Sequence, residues 1–232
     1  MTELLISVRS AAEARVAIAA GCDWVDIKEP TRGPLGRADA ATWKAIAEEC
    51  GRARTRPKLT VALGETIDDA RASHLPPSVT LAKLGPSALP SPTDAASYAD
   101  AIRRVRTRFG RCDWATVAYA DAESMRTAAA WRTVIDTAAK LGDAVVLVDT
   151  CDKHGPRLLD RWTLDDVRRH VELAHEAGLK AAIAGRLRVD ELGPLAACGV
   201  DILGVRSAAC GGDRMASVEL HAARACVRAV RQ

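Results

Sequence analysis

The chain has 232 residues, and 33 Lys and Arg against 30 Asp and Glu leave a net charge of +3. Hydrophobic residues make up 48% and charged residues 27%, an ordinary globular composition, but only five Trp, two Tyr and one Phe are present. These values exclude a basic nucleic-acid footprint and a base-stacking platform, and no apolar run approaches the ~18 residues of a membrane span. The core has to be built from Ala, Val, Leu and Ile.

The N-terminus runs from Met1-Thr2-Glu3 directly into Leu4–Val8, without the basic and apolar regions of a secretory signal. Seven scattered cysteines with no C-x-x-C pair point to free thiols and a cytoplasmic protein, not to a disulfide scaffold or a structural zinc.

Short β-rich runs alternate with helical patterns along the whole chain. Leu4–Val8 is the first strand; Ser10 caps the next helix, with Glu13 completing a capping box and Gly21 ending it. Trp24–Lys28 is the second strand, followed by a Pro/Gly loop from Pro30 to Gly36 and a helix over Asp39–Cys50. Leu59–Leu63 precedes a short helix at Ile67–Ser73, and Leu81–Leu84 precedes a long one at Asp94–Phe109. Thr116–Ala120 leads to a helix over Glu123–Leu141, and Ala144–Asp149 to a helix from Thr163, boxed by Asp166, to Gly178. Lys180–Ala184 and Ile202–Arg206 are the last strands, and the final helix covers Ala216–Arg231.

The pattern is eight strands and eight helices with no compositional break, so residues 1–232 read as one domain. Strict alternation implies a parallel sheet, and eight units in this length match a (β/α)8 TIM barrel. An open doubly wound sheet is the weaker alternative, because no G-x-G-x-x-G follows the first strand. Similar segments recur around Gly21-Cys22-Asp23 and Gly199-Val200-Asp201; a Gly helix stop before a polar strand entry accounts for them.

Barrels gather their chemistry at the C-terminal ends of strands. Asp26 and Lys28 lie two residues apart at the end of the second strand and so share a face. Lys83 lies near the end of the fourth. Asp149 ends the sixth, on the face of Val145 and Leu147, with Lys153 in the loop above. Taken singly, each residue reads better as a snorkelling lysine or a helix-capping aspartate. Five charges from three even-numbered strands favour a shared site, since alternate strands supply one side-chain layer. Clustered, desolvated lysines become nucleophilic near neutral pH and can form imines with carbonyl compounds.

The last two loops, with Ala184-Gly185-Arg186 and Arg206 to Arg214, carry a second signal. Loops after strands 7 and 8 commonly bind phosphate through Gly amides, Arg and a helix N-terminus. Gly185, Arg206, Gly211, Gly212 and Arg214 are the candidates, although a plain Gly turn with Asp213 as a cap fits equally well. A small phosphorylated carbonyl compound is the expected substrate. The five histidines lack metal spacing, and His175-Glu176 lacks the second His of a zincin. Neither Cys151 nor Cys210 has an obvious His partner, and both read as packing residues.

Val25-Asp26-Ile27-Lys28-Glu29-Pro30 with Gly33–Gly36, Ala82–Gly85, Val148-Asp149-Thr150 with Asp152–Gly155, and Leu203–Arg206 with Ala208–Arg214 resemble the (5-formylfuran-3-yl)methyl phosphate synthases of methanofuran biosynthesis. The resemblance spans nearly the whole chain. It implies condensation of two glyceraldehyde 3-phosphates to a furan aldehyde phosphate, with loss of phosphate and two waters, and needs neither metal nor organic cofactor. It further implies Lys28 as the Schiff-base lysine and Lys83 as proton acceptor, with Asp26, Asp149 and Lys153 completing the pocket. Arg186 and Ser207 depart from the family pattern, standing where Ser and Gly are usual. Neither a nucleic-acid nor a membrane partner is expected, and a homo-oligomer is compatible with the sequence. Another phosphosugar aldolase or decarboxylase, or a non-catalytic phosphometabolite-binding barrel, remain the alternatives.

Overall fold

Along every strand, alternate side chains face the barrel axis or the surrounding helices, and this two-residue period sorts the sequence into two cores. The computed structural model describes residues 1–65, 74–87, 89, 94–107, 109 and 112–232. Its strands are β1 (Glu3–Val8), β2 (Trp24–Ile27), β3 (Lys58–Glu65), β4 (Val79–Gly85), β5 (Asp113–Tyr119), β6 (Val145–Asp149), β7 (Lys180–Ile183) and β8 (Ile202–Val205). Each pairs in parallel with the next, and β8 returns to β1, closing the expected TIM barrel.

The helices among the described residues are α1 (Ala11–Ala20), α2 (Ala40–Arg52), α3 (Ala95–Arg106), α4 (Ala128–Leu141), α5 (Leu164–Glu176), α6 (Val189–Ala197) and α7 (Leu220–Arg231). The helix expected at Ile67–Ser73 lies outside the described residues. Two helices begin later than their sequence pattern suggests. Glu123–Met125 is a 3₁₀ turn, and α4 starts only where the Thr127 hydroxyl accepts from Ala130 N at 3.1 Å. Before α7, Glu219 N donates to Ala209 O, holding the chain extended until Leu220. The sequence pattern left α6 without bounds. Pro194 inside it weakens the helical signal, and Glu191, which accepts from Arg188 N, marks its start.

The outer core packs helices on the sheet through small side chains: Ala14, Ala17, Ala138 and Ala174 are fully buried. This explains how a chain poor in aromatics closes its core. The inner core holds Leu5, Leu81, Val145, Leu147 and Ile202, with Trp24 among them. Trp24 also donates to Glu3 at 2.8 Å and lies under the Lys58 ammonium, 4.8 Å from the ring centroid, near the N-terminal end of the strands. Leu35, from the loop after β2, belongs to the same inner cluster and is 1% exposed, so that loop folds over the opposite end.

One ion pair locks α3 onto the sheet. Arg106 donates to the two Asp143 oxygens at 2.6 and 2.9 Å, and Thr116 adds a third bond at 2.5 Å. The Asp143 carboxyl is 2% exposed and the Arg106 side chain 11%. Removing one partner of such a pair leaves the other buried without compensation. Asp143→Ala is expected to lower unfolding stability by about 3 kcal/mol in urea titrations; a loss within the range of a surface pair, about 1 kcal/mol or less, would contradict this role.

Candidate active site

The in-facing register carries Asp26, Lys28, Lys83 and Asp149 to the C-terminal end of the barrel. Lys28 follows β2, and its N–H donates to Val8 O at 3.0 Å, extending the ladder by one residue. The charged groups fall into two pairs. Asp26, 1% exposed, accepts from Ser7 Oγ at 2.7 Å and has Lys83 Nζ 2.9 Å from its other oxygen. That second oxygen lacks a well-aligned hydrogen bond, so the Lys83 contact is chiefly one of charge. Asp149 accepts from Lys153 Nζ at 2.6 Å and from Thr150 N at 2.8 Å, through one oxygen.

Lys28 belongs to neither pair. It is buried, and among the described residues its amine makes no hydrogen bond or ion pair. It shares with both pairs a cavity whose apolar walls include Leu5, Leu35, Leu81 and Leu147. Burial pulls the Lys28 amine down to about 7; Asp149 and Asp26 oppose the change, while Lys153 and Lys83 add to it. Burial also works against ionised Asp149. The charges of Lys153 and Lys28, with the bonds from Lys153 and Thr150 N, nevertheless hold its carboxyl below the usual range. The arrangement therefore offers a neutral amine near pH 7, flanked by an anchored carboxylate and two ammonium groups.

The upper loops distribute the expected phosphate ligands differently. Gly185, at φ +112°, lines the cavity; a Cβ there would come within 2.9 Å of Leu158 Cβ, so only glycine fits. Arg214 lines it too, half-buried, bonded to Gly33 O at 3.3 Å, and burial lowers its guanidinium from its ordinary value. The expectation for Arg206 is corrected by its geometry. All five of its N–H donors are engaged, by Glu13, Ser7 O, Arg214 O and Ala216 O, so it anchors the β8 loop to β1 and α1 and has no donor left for a phosphate. Gly211 and Gly212, both at positive φ, direct their N–H groups to Ser207 O and close the turn instead of facing a ligand. Ser207 and Ala208 open that 3₁₀ turn, so their N–H groups have no acceptor within it.

Arg186 is a functional candidate the sequence marked only as a departure. It holds φ +58°, a conformation rare for a side-chain-bearing residue, and its guanidinium bonds to Gly155 O. With Lys153, Ser207 and Arg214 it lines both the inner cavity and an outer cleft. Ser7 was also missed, because a lone serine in an apolar strand carries no signal until its partner Asp26 is known. Glu65 and Tyr119 form a further buried pair at 2.5 Å, and burial together with the Glu65 charge keeps the phenol protonated far above its usual range. Among the described residues no group of three or more His, Cys, Asp or Glu is placed to hold a metal ion. No helix among them is long and apolar enough to cross a membrane.

Fold and site together define a TIM-barrel protein with a lysine–carboxylate centre at the end of the barrel where such folds carry their chemistry. The fold is shared widely: thiamine phosphate pyrophosphorylase from Pyrococcus furiosus superposes with a TM-score of 0.63 at 15% identity, over 99% of this chain and 95% of that one. The family model described as 4-HFC-P synthase matches residues 4–227. Two relatives named (5-formylfuran-3-yl)methyl phosphate synthase, from Methanococcus maripaludis strains S2 and C5, are 34% and 32% identical, covering 92% and 91% of both chains. The chain belongs to this family of synthases.

The electrostatics of Lys28 can be read directly. Competitive labelling with a small amine reagent, followed by peptide mass spectrometry, is expected to show its reactivity rising through a midpoint near pH 7. Lys153→Met removes a charge that depresses the amine and should move the midpoint up; Asp149→Asn removes one that supports its protonation and should move it down. A midpoint in the ordinary lysine range, insensitive to both changes, would contradict the site as described.

Proposed function

We propose that the protein condenses two glyceraldehyde 3-phosphate molecules into (5-formylfuran-3-yl)methyl phosphate through a Schiff base on Lys28. The observation that carries this reading is the buried Lys28 amine, unpaired among the described residues, lowered to about 7 and set between two lysine–carboxylate pairs. A neutral amine adds to the aldehyde carbon, and loss of water gives a protonated imine. The imine acidifies the neighbouring C–H, whose proton is taken by Lys83 in its neutral form, after the lysine has passed its own proton to Asp26, 2.9 Å away. The resulting enamine attacks the second aldehyde. Hydrolysis of the imine frees Lys28 and returns the water lost on its formation, and net removal of one phosphate and two waters balances two triose phosphates against one furan, with no external oxidant or reductant. Asp149 and Lys153 are placed to move protons in the eliminations.

Arg186, Arg214 and the Ser207 and Ala208 amides are the phosphate ligands in this reading, with Gly185 leaving room beside them. The inner cavity and outer cleft share Lys153, Arg186, Ser207 and Arg214, which suits a reaction handling two phosphorylated molecules. The relatives' name supports the product, and the family resemblance implies a place in methanofuran biosynthesis.

Borohydride added during incubation with glyceraldehyde 3-phosphate is expected to trap an adduct on Lys28, while untreated samples develop furan absorbance. Lys28→Arg keeps a long nitrogen-bearing side chain but cannot form the imine, and turnover should fall to background. An adduct without furan would indicate a different Schiff-base aldolase. Neither adduct nor product, or substantial activity in Lys28→Arg, would overturn the proposal.

A further inference from the structure

Two of the five tryptophans meet away from the barrel mouth. Trp131 of α4 and Trp162, just before α5, pack edge to face with centroids 4.7 Å apart. Both also contact the ring of His170 on α5, at 5.3 and 5.5 Å. His170 is only 4% exposed, and neither of its ring nitrogens has a hydrogen-bond partner among the described residues. A buried imidazole with both nitrogens unpaired is costly unless something occupies the space beside it. Burial lowers its pKa to about 4, so it is neutral, with one N–H donor and one acceptor nitrogen.

That space exists. His170 and the two tryptophans line an open pocket between α4 and α5, which shares no lining residue with the barrel-mouth cavity. Its rim is cationic. Arg126 pairs with Glu123 at 3.0 Å and Arg169 reaches Asp166 only at 3.9 Å. The Arg161 guanidinium has neither ion pair nor hydrogen bond among the described residues. The one carboxylate in the lining, Asp166, is already bonded to the backbone and hydroxyl of Thr163. The first turn of the 14-residue α4, at Thr127 and Ala128, also faces the cavity and adds the positive end of a helix dipole.

We propose that this cavity is a second binding site, for a planar aromatic or heteroaromatic anion. The ring lies in the corner made by Trp131 and Trp162, a polar edge meets His170, and the acidic group is held by Arg161 and the first turn of α4. Flat apolar walls select a planar ring over a puckered one, because the face of an sp² ring packs on indole without leaving voids. The uncommitted guanidinium selects an anion. The inference is independent of the chemistry assigned to Lys28.

Phenyl phosphate and furan-2-carboxylate are the probes, with cyclohexyl phosphate and inorganic phosphate as controls, titrated into the full chain. The readouts are His170 imidazole resonances by NMR and binding heat by calorimetry. Both aromatic anions are expected to shift the His170 resonances saturably, and both controls to leave them unmoved. Arg161→Gln, a change of an exposed residue that leaves the fold intact, should weaken the His170-linked binding about tenfold, the worth of one charge-assisted bond. It should leave amine labelling of Lys28 unchanged, which separates this site from phosphate binding at the barrel mouth. His170 resonances that stay still to saturation, or equal shifts with cyclohexyl phosphate, would overturn the proposal, as would undiminished binding in Arg161→Gln.

Discussion

The Lys28 amine is buried, and among the described residues no acceptor bonds to it. Everything near it follows from that condition. A lone buried ammonium would lose its proton entirely, and a paired one would keep it; Lys28 lies between these limits because two carboxylates are close but already taken. Lys83 occupies Asp26, and Lys153 occupies Asp149, so each counter-charge reaches Lys28 only at a distance. The loop after β2 contributes to the dryness by placing Leu35 among the inward-facing residues.

The barrel makes this arrangement inexpensive to build. Alternation along β2, β4 and β6 delivers Asp26 and Lys28, Lys83, and Asp149 to the inner face at one end of the barrel, while the residues between them face the helices. Below the charged layer, Leu5, Leu81, Val145, Leu147 and Ile202 fill the inner core. The low aromatic content follows from the same design: alanine-faced helices approach the sheet closely. Of the few large rings, Trp24 belongs to the inner core and Trp131 and Trp162 flank the outer cavity.

The strand-8 loop shows how a cation can serve the site without touching a ligand. Arg206 joins β8, β1, α1 and the segment leading to α7 through five hydrogen bonds. Its partner Glu13 also accepts from Arg9 N, so helix capping and loop anchoring run through one carboxylate. This rigid support leaves Arg214 and Arg186, the two less committed guanidinium groups, at the cavity wall.

The alternation of strand and helix, the facing of Asp26 with Lys28, and the placement of Asp149 were legible from local pattern alone. Periodicity is local, and a strand's two faces are set within a few residues. The sequence also identified all five charged residues of the cluster, because parallel barrels bring strand ends together whatever the loops do. It could not tell which lysine is paired, since Lys83–Asp26 and Lys153–Asp149 are matters of distance and angle across strands. Nor could it separate Arg206 from Arg214, or Gly211 and Gly212 from Gly185: identical residue types become anchor, turn or cavity wall according to which acceptors lie within about 3 Å. The sequence by itself determined the fold and the five charged residues of the cluster. Only tertiary structure decided which amine is left buried outside the ion pairs, because desolvation and hydrogen-bond accounting depend on every neighbour in space.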